Sequence, residues 1–262
     1  MEYIGYFASI FIGITLGLIG GGGSILTIPI MVYLFQVNPK LATTYSLFIV
    51  GFTASIGAVS HYRMGNIKLK SAVLFAIPSL ITIILVRKII LPLVPEIIFT
   101  SNNFILTKDI FIMAFFAILM IAASYSMIKK SKDVAISALT NPLKVIIIGA
   151  LVGIITGFLG AGGGFLIIPA LLFFTGINMK QAVGTSLLII AFNSLFGFLG
   201  DIVNGVVIDY TLLFTTAVFA SMGIFIGTML SKKIDGTKLK PAFGWFILLM
   251  GIYIMTNELF IK

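Results

Sequence analysis

Eight uncharged runs of 16 to 37 residues, separated by short charged stretches, dominate this sequence. They lie between Glu2 and Lys40, Lys40 and Arg63, Lys70 and Arg87, Asp109 and Lys129, Lys144 and Lys180, Lys180 and Asp201, Asp209 and Lys232, and Lys240 and Glu258. A helix crossing about 30 Å of hydrocarbon needs roughly 20 apolar residues. Six of the runs suit one crossing each. Composition agrees, with 60% hydrophobic and only 10% charged residues, where soluble domains carry about 25% charged. So few charges cannot coat a water-facing surface, so the solvent must be mostly lipid. The sequence therefore predicts an all-α polytopic membrane protein. Its net charge of +9 does not point to nucleic acid, because the basic residues cluster between apolar runs, where membrane topology uses them. The absence of cysteine and the single histidine argue against thiolate chemistry and His-rich metal sites. No metal or cofactor is expected. The first segment opens on Glu2 rather than a basic region, with no convincing cleavage site before its glycines, and is not read as a signal peptide.

The two longest runs, 3–39 and 145–179, each carry a glycine cluster near the centre: Gly20-Gly21-Gly22-Gly23 and Gly160-Ala161-Gly162-Gly163-Gly164. Thirty-seven helical residues reach only about 55 Å, too short for two full crossings and a turn. One broken crossing and a hairpin with its tip inside the membrane both remain open.

Shifting the sequence by 140 residues aligns 13–71 with 153–211 without a gap, and 18 of the 59 positions are identical. Lipid-facing composition would produce matching Ile and Leu. It would not put glycines, Pro29/Pro169, Asn38/Asn178 and Lys40/Lys180 in register. The chain reads as a duplication, with a first membrane half over 1–130, a basic cytoplasmic connector over 131–143 and a second half over 144–262. If each glycine segment returns to its starting side, each half has three full crossings and the halves are inverted. Twelve basic residues then lie inside and five outside. A single crossing per glycine segment makes the halves parallel and the count eight against nine, so the positive-inside rule favours inversion.

The segments GLIGGGGSILTIP (17–29) and GFLGAGGGFLIIP (157–169) run an apolar helix into glycines and start a second helix directly after them. Glycine lets backbone be approached closely, and the N–H groups opening a helix are unpaired at its positive dipole end. Inverted-repeat transporters place such broken helices at the midplane, facing substrate. Gly20, Gly21, Gly22, Gly23, Ser24, Gly160, Gly162, Gly163 and Gly164 are therefore candidate substrate-binding residues. Spaced glycines such as Gly13 and Gly17 read instead as helix-packing positions. Thr44, Ser46, Thr185 and Ser186 open the helices that follow, where capping and contact with an oxyanion weigh equally. Asn193 falls mid-helix, and a helix contact and a path-lining role both fit.

Charges at span ends are read mostly as solvated. His61 and Asp201 occupy equivalent repeat positions near helix ends, and a proton-coupling role is the lesser reading. Arg87 and Lys88 are expected to snorkel to the interface, with an entry role for anions as the lesser reading, and Pro78 to kink its helix. No enzyme is expected. The repeat counterpart of Ser24 is a glycine, Gly164, His61 is the only base, and no paired carboxylates fall within a span.

The duplicated G-x-x-G-x-G-G…P hairpin, followed by an A-x-G-T-S-like helix start, resembles the TauE/SafE (TSUP) family of sulfite and sulfonate exporters. The second half, with QAVGTSLL, is the closer match, while Thr43-Thr44-Tyr45 departs from the pattern in the first. The resemblance spans nearly the whole chain and implies a bacterial inner-membrane permease for small sulfur-containing or organic anions. Relatives that import thiosulfate through cysteines offer no mechanistic guide, because this chain has none. The expected protein is a carrier that binds a small anion between two glycine-rich tips, passively or coupled to an ion gradient. An anion channel sharing that site is the alternative.

Overall fold

The computed structural model describes residues 2–21, 23–101, 104–128, 142–159, 163–234 and 236–257. The first half holds α1 (Glu2–Ile19), α2 (Gly23–Pro29), α3 (Pro39–Arg63), α4 (Leu69–Leu85), α5 (Leu91–Leu93), a hairpin of β1 (Ile97–Ser101) and β2 (Phe104–Thr107), and α6 (Lys108–Ile128). The second holds α7 (Pro142–Leu159), α8 (Gly164–Thr175), α9 (Met179–Val203), α10 (Tyr210–Lys233) and α11 (Gly236–Thr256). Six helices among the described residues are long and apolar enough to cross a membrane: α3, α4 continued through α5, α6, α7, α9 and α10. The chain is thus an all-α polytopic membrane protein, with large apolar side chains such as Phe7, Ile77, Ile81, Leu151, Val218 and Phe225 turned outward.

Local chemistry sets the boundaries. Asn38 caps α3 by accepting from the Lys40 N–H at 2.9 Å, with Pro39 in the first turn. The equivalent Asn178 caps α9 in a reciprocal box with Gln181, and Asp209 caps α10. Pro29 brings no N–H to the helix, and the ladder widens into a π segment over Ile30–Leu34. A second π segment, Val86–Ile90, links α4 to α5. The sequence foresaw no strands at 97–107. The short antiparallel hairpin there pairs Ser101 with Phe104.

The four most extensive helix pairings each take one helix from each half: α1 with α10, α4 with α7, α3 with α9, and α6 with α11. Glycine makes the first two close. A Cβ on Gly13 would overlap the Ala220 carbonyl, and one on Gly17 would lie 2.8 Å from the Ile224 oxygen. On α7, Gly149, Gly153 and Gly157 meet α4 at Phe75, Ser79 and Ile83 in turn. In both pairs the residue numbers rise together, so the helices run parallel, and the 140-residue shift carries Gly13 and Gly17 onto Gly153 and Gly157.

At the centre α3 and α9 run antiparallel: Thr44 meets Asp201, Gly51 meets Ser194, and His61 meets Gly184. These are the innermost helices, with 72% of the spanning window of each buried, against 28% for α4.

Candidate functional site

The two glycine tips touch. Gly20 (φ +77°) and Gly163 (φ +68°) take the left-handed conformation that glycine tolerates without strain; Gly20 follows α1, and Gly163 directly precedes α8. The long arms α1 and α7 have 18 residues, about 27 Å. The α8 return arm has 12, about 18 Å. Gly21 lies against Gly164, and a Cβ on either would collide with the other's backbone. Gly23 packs on Ile12 and Leu16. Gly22, Gly160 and Gly162 lie outside the described residues, and Ser24 is described only as backbone of α2.

The hydroxyls predicted beside the tips divide into different environments. Ser186 Oγ lies 2.9 Å from the Gly20 carbonyl, to which it donates, and joins the second half to the first tip. Its repeat equivalent, Ser46, is fully buried, and its Oγ has no hydrogen-bond partner among the described residues. Thr44 donates to Asp201 Oδ2 at 2.7 Å, and Thr185 Oγ1 accepts from the Lys68 N–H at 3.0 Å. Thr44 therefore belongs to one end of the α3–α9 pair and Thr185 to the other. Asn193 donates to Ser79 Oγ at 2.7 Å, a contact from α9 to α4, while its Oδ1 is unpartnered. Thr53, the repeat equivalent of Asn193, and Ser194 are likewise buried without partners.

Three charged positions depart from the solvated reading. Arg87 does not snorkel: it is 5% exposed and ion-paired with Asp201, itself 5% exposed. His61 is 3% exposed, and neither ring nitrogen has a partner among the described residues. The cause is the antiparallel α3–α9 pair, which sets the last turn of each helix against the first turns of the other. Lys88 is exposed, as expected.

The Arg87–Asp201 pair anchors a polar network that sequence reasoning missed. Arg87 Nε donates to Asp201 Oδ1 at 2.7 Å, and one terminal nitrogen donates to Oδ2. That same nitrogen lies 3.4 Å from the Thr43 and Thr44 hydroxyls, and the other terminal nitrogen donates to the Gly157 carbonyl at 3.2 Å. The only signal in the sequence was an arginine inside an otherwise apolar stretch, where an ionisable group is costly without a partner.

Two cavities open at opposite ends of the central pair. The larger, about 520 Å³, is lined by Asn38, Lys40, Thr44, Arg87, Asp201 and Asn204. The smaller, about 140 Å³, is lined by His61, Asn66, Lys180, Ser231 and Lys232. Among the described residues no group of three His, Asp or Glu side chains is placed to hold a metal ion.

Comparison with known proteins agrees with this architecture. The family described as Sulfite exporter TauE/SafE matches residues 6–254. A "Probable membrane transporter protein" of Xylella fastidiosa (strain 9a5c) is 30% identical over 247 residues, covering 93% of this chain and 91% of that one. "Probable membrane transporter protein YdhB" of Bacillus subtilis is 28% identical over 231 residues, covering 88% and 91%. A similarly named protein of Methanocaldococcus jannaschii is 26% identical over 258 residues, covering 93% and 91%.

Proposed function

Because the chain belongs to the TauE/SafE family and is a multi-pass membrane transporter, we propose that its cargo is a small anion, a sulfur-containing oxyanion or sulfonate, held where the two glycine tips meet. The observation that carries this reading is the contact of Gly21 with Gly164, bare backbone against bare backbone from the two halves. The opening N–H groups of α8 present the positive end of a helix dipole there. The buried, unpartnered Ser46 hydroxyl is the donor we assign to the anion. Ser186 serves as a positioning residue, holding the first tip through the Gly20 carbonyl. Of the other glycines and hydroxyls singled out in the sequence, Thr44 and Thr185 fall at the two ends and Asn193 between them.

We take the halves as inverted across the membrane. The antiparallel course of the equivalent helices α3 and α9 supports this. So does the separation of Lys40, Arg87 and Lys108 at one end from His61, Lys180 and Lys232 at the other. Transport is then passive or driven by an ion gradient, with rocking of the halves for alternating access. His61 and Asp201 are the candidates for proton coupling.

The test is uptake of sulfite, thiosulfate, sulfonates and small carboxylates by the protein in liposomes, with and without a pH gradient. Saturable flux with counterflow is the expected result. Single-channel currents would establish the channel alternative, and no flux of any anion would remove the cargo assignment.

A further inference from the structure

We propose that Arg87 receives the anion at the end where α3 begins, and that Asp201 is an internal stand-in which the incoming anion displaces. The proposal rests on the anion-carrier reading above and assigns a second, peripheral binding residue to it.

The pair is built like an occupied anion site. A guanidinium presents a planar fork of donors that suits carboxylates and other oxyanions alike. Here the fork holds both oxygens of Asp201, and Thr44 adds a third hydrogen bond to the same carboxylate. Arg87 and Asp201 line the 520 Å³ cavity together with Lys40, Asn38 and Asn204. At its wall Lys40 is ion-paired with Glu96 at 3.5 Å and the Asn38 amide donates to Asp109 at 3.1 Å, so a diffusing anion competes with these carboxylates as well as with Asp201.

The same pair ties the two halves together. Arg87 follows α4 and Thr44 opens α3, both in the first half; Gly157 ends α7 and Asp201 ends α9, both in the second. An anion that takes the place of Asp201 on Arg87 frees the carboxylate and the Thr44 hydroxyl. One set of cross-half bonds is then lost at that end. Without the anion, separation would leave a buried charge unpaired, which is strongly unfavourable. The empty protein stays closed there, and the anion lowers the cost of opening by its preference for the open form.

The internal repeat shows that this device belongs to one end only. Thr43, Thr44, Gly157 and Asp201 have Val183, Gly184, Gly17 and His61 as their equivalents in the repeat, none of them able to form this ion pair. At that opposite end Gly17, the equivalent of Gly157, packs against α10 backbone, with a Cβ on Gly227 lying 3.0 Å from Gly17 Cα. Duplication alone would have produced two similar ends. The ion pair is a departure from the repeat, at the end with the larger of the two cavities.

The experiment uses the full chain in liposomes, with sulfite, thiosulfate and methanesulfonate as probes. If wild-type protein moves none of them, the carrier reading fails and takes this inference with it. With wild-type flux in hand, Asp201→Asn removes the competing charge and should lower the half-saturating concentration at least threefold. Arg87→Lys should cut uptake at least tenfold. The neutral pair Arg87→Met with Asp201→Asn should fold, as judged by its melting curve, yet move no anion above empty liposomes. An unchanged or raised half-saturating concentration in Asp201→Asn overturns the proposal while leaving the carrier reading intact, as does wild-type flux through the neutral pair. Should these variants fail to fold, the chain's lack of cysteine permits a single Leu41→Cys reporter in the cavity wall. Saturating anion should slow its reaction with a membrane-impermeant maleimide at least threefold, and an unchanged rate overturns the proposal.

Discussion

Two serines at equivalent positions sit in different surroundings, and the proposed division of roles between them is measurable. Ser186 Oγ is engaged with the Gly20 carbonyl, whereas Ser46 Oγ is buried without a partner. Ser186→Ala should cost about 1 kcal/mol of stability. Ser46→Ala should leave the melting temperature unchanged or raise it, while weakening anion uptake at least threefold. Thermal unfolding in detergent and half-saturating concentrations measure the two effects. A loss of stability in Ser46→Ala equal to that in Ser186→Ala would show that both hydroxyls are structural. For the ion pair, removing one partner by Arg87→Met should destabilise by about 3–5 kcal/mol. Adding Asp201→Asn should recover much of that loss, because the carboxylate is no longer buried without its counter-charge. A double variant no more stable than Arg87→Met, measured by the same unfolding curves, would show that the two sites act independently.

The helices were largely legible before the structure, because charge spacing, caps and glycine clusters are local signals. The repeat put Asn38 and Asn178 in register, and the structure uses both as helix caps. Asn178→Ala should accordingly cost about 1 kcal/mol, read from the same melting curves. Gly13 and Gly17 were read as packing positions, and they form a face of α1 against α10. Gly13→Leu should therefore prevent accumulation of folded protein, because its side chain would occupy the place of the Ala220 carbonyl. Size-exclusion profiles after membrane extraction check this. What stayed hidden depends on partners far along the chain. Nothing near Arg87 shows that Asp201, 114 residues away, will meet it, and its solvated reading failed for that reason. His61 and Asp201 look like span-end groups until the antiparallel crossing covers them. The β1–β2 hairpin escaped notice because segments as short as Ile97–Ser101 and Phe104–Thr107 give almost no periodic signal.

Across the whole molecule, the two cavities define two sides. Lys40 lines one, while Lys180 and Lys232 line the other. With inverted halves and basic clusters inside, Lys40→Cys should react with an impermeant maleimide on intact cells, and Lys232→Cys only after permeabilisation. Reaction of both from one side would end the inverted reading. The crosswise pairing of α1 with α10 and of α4 with α7 has a further consequence for the chain as a gene product. A fragment of residues 1–130 made alone would display glycine-lined grooves shaped for helices it does not possess, and a fragment of 142–262 would do the same. Neither should survive proteolytic quality control by itself, yet co-expression should let the severed pieces rescue one another, since each is the other's missing scaffold.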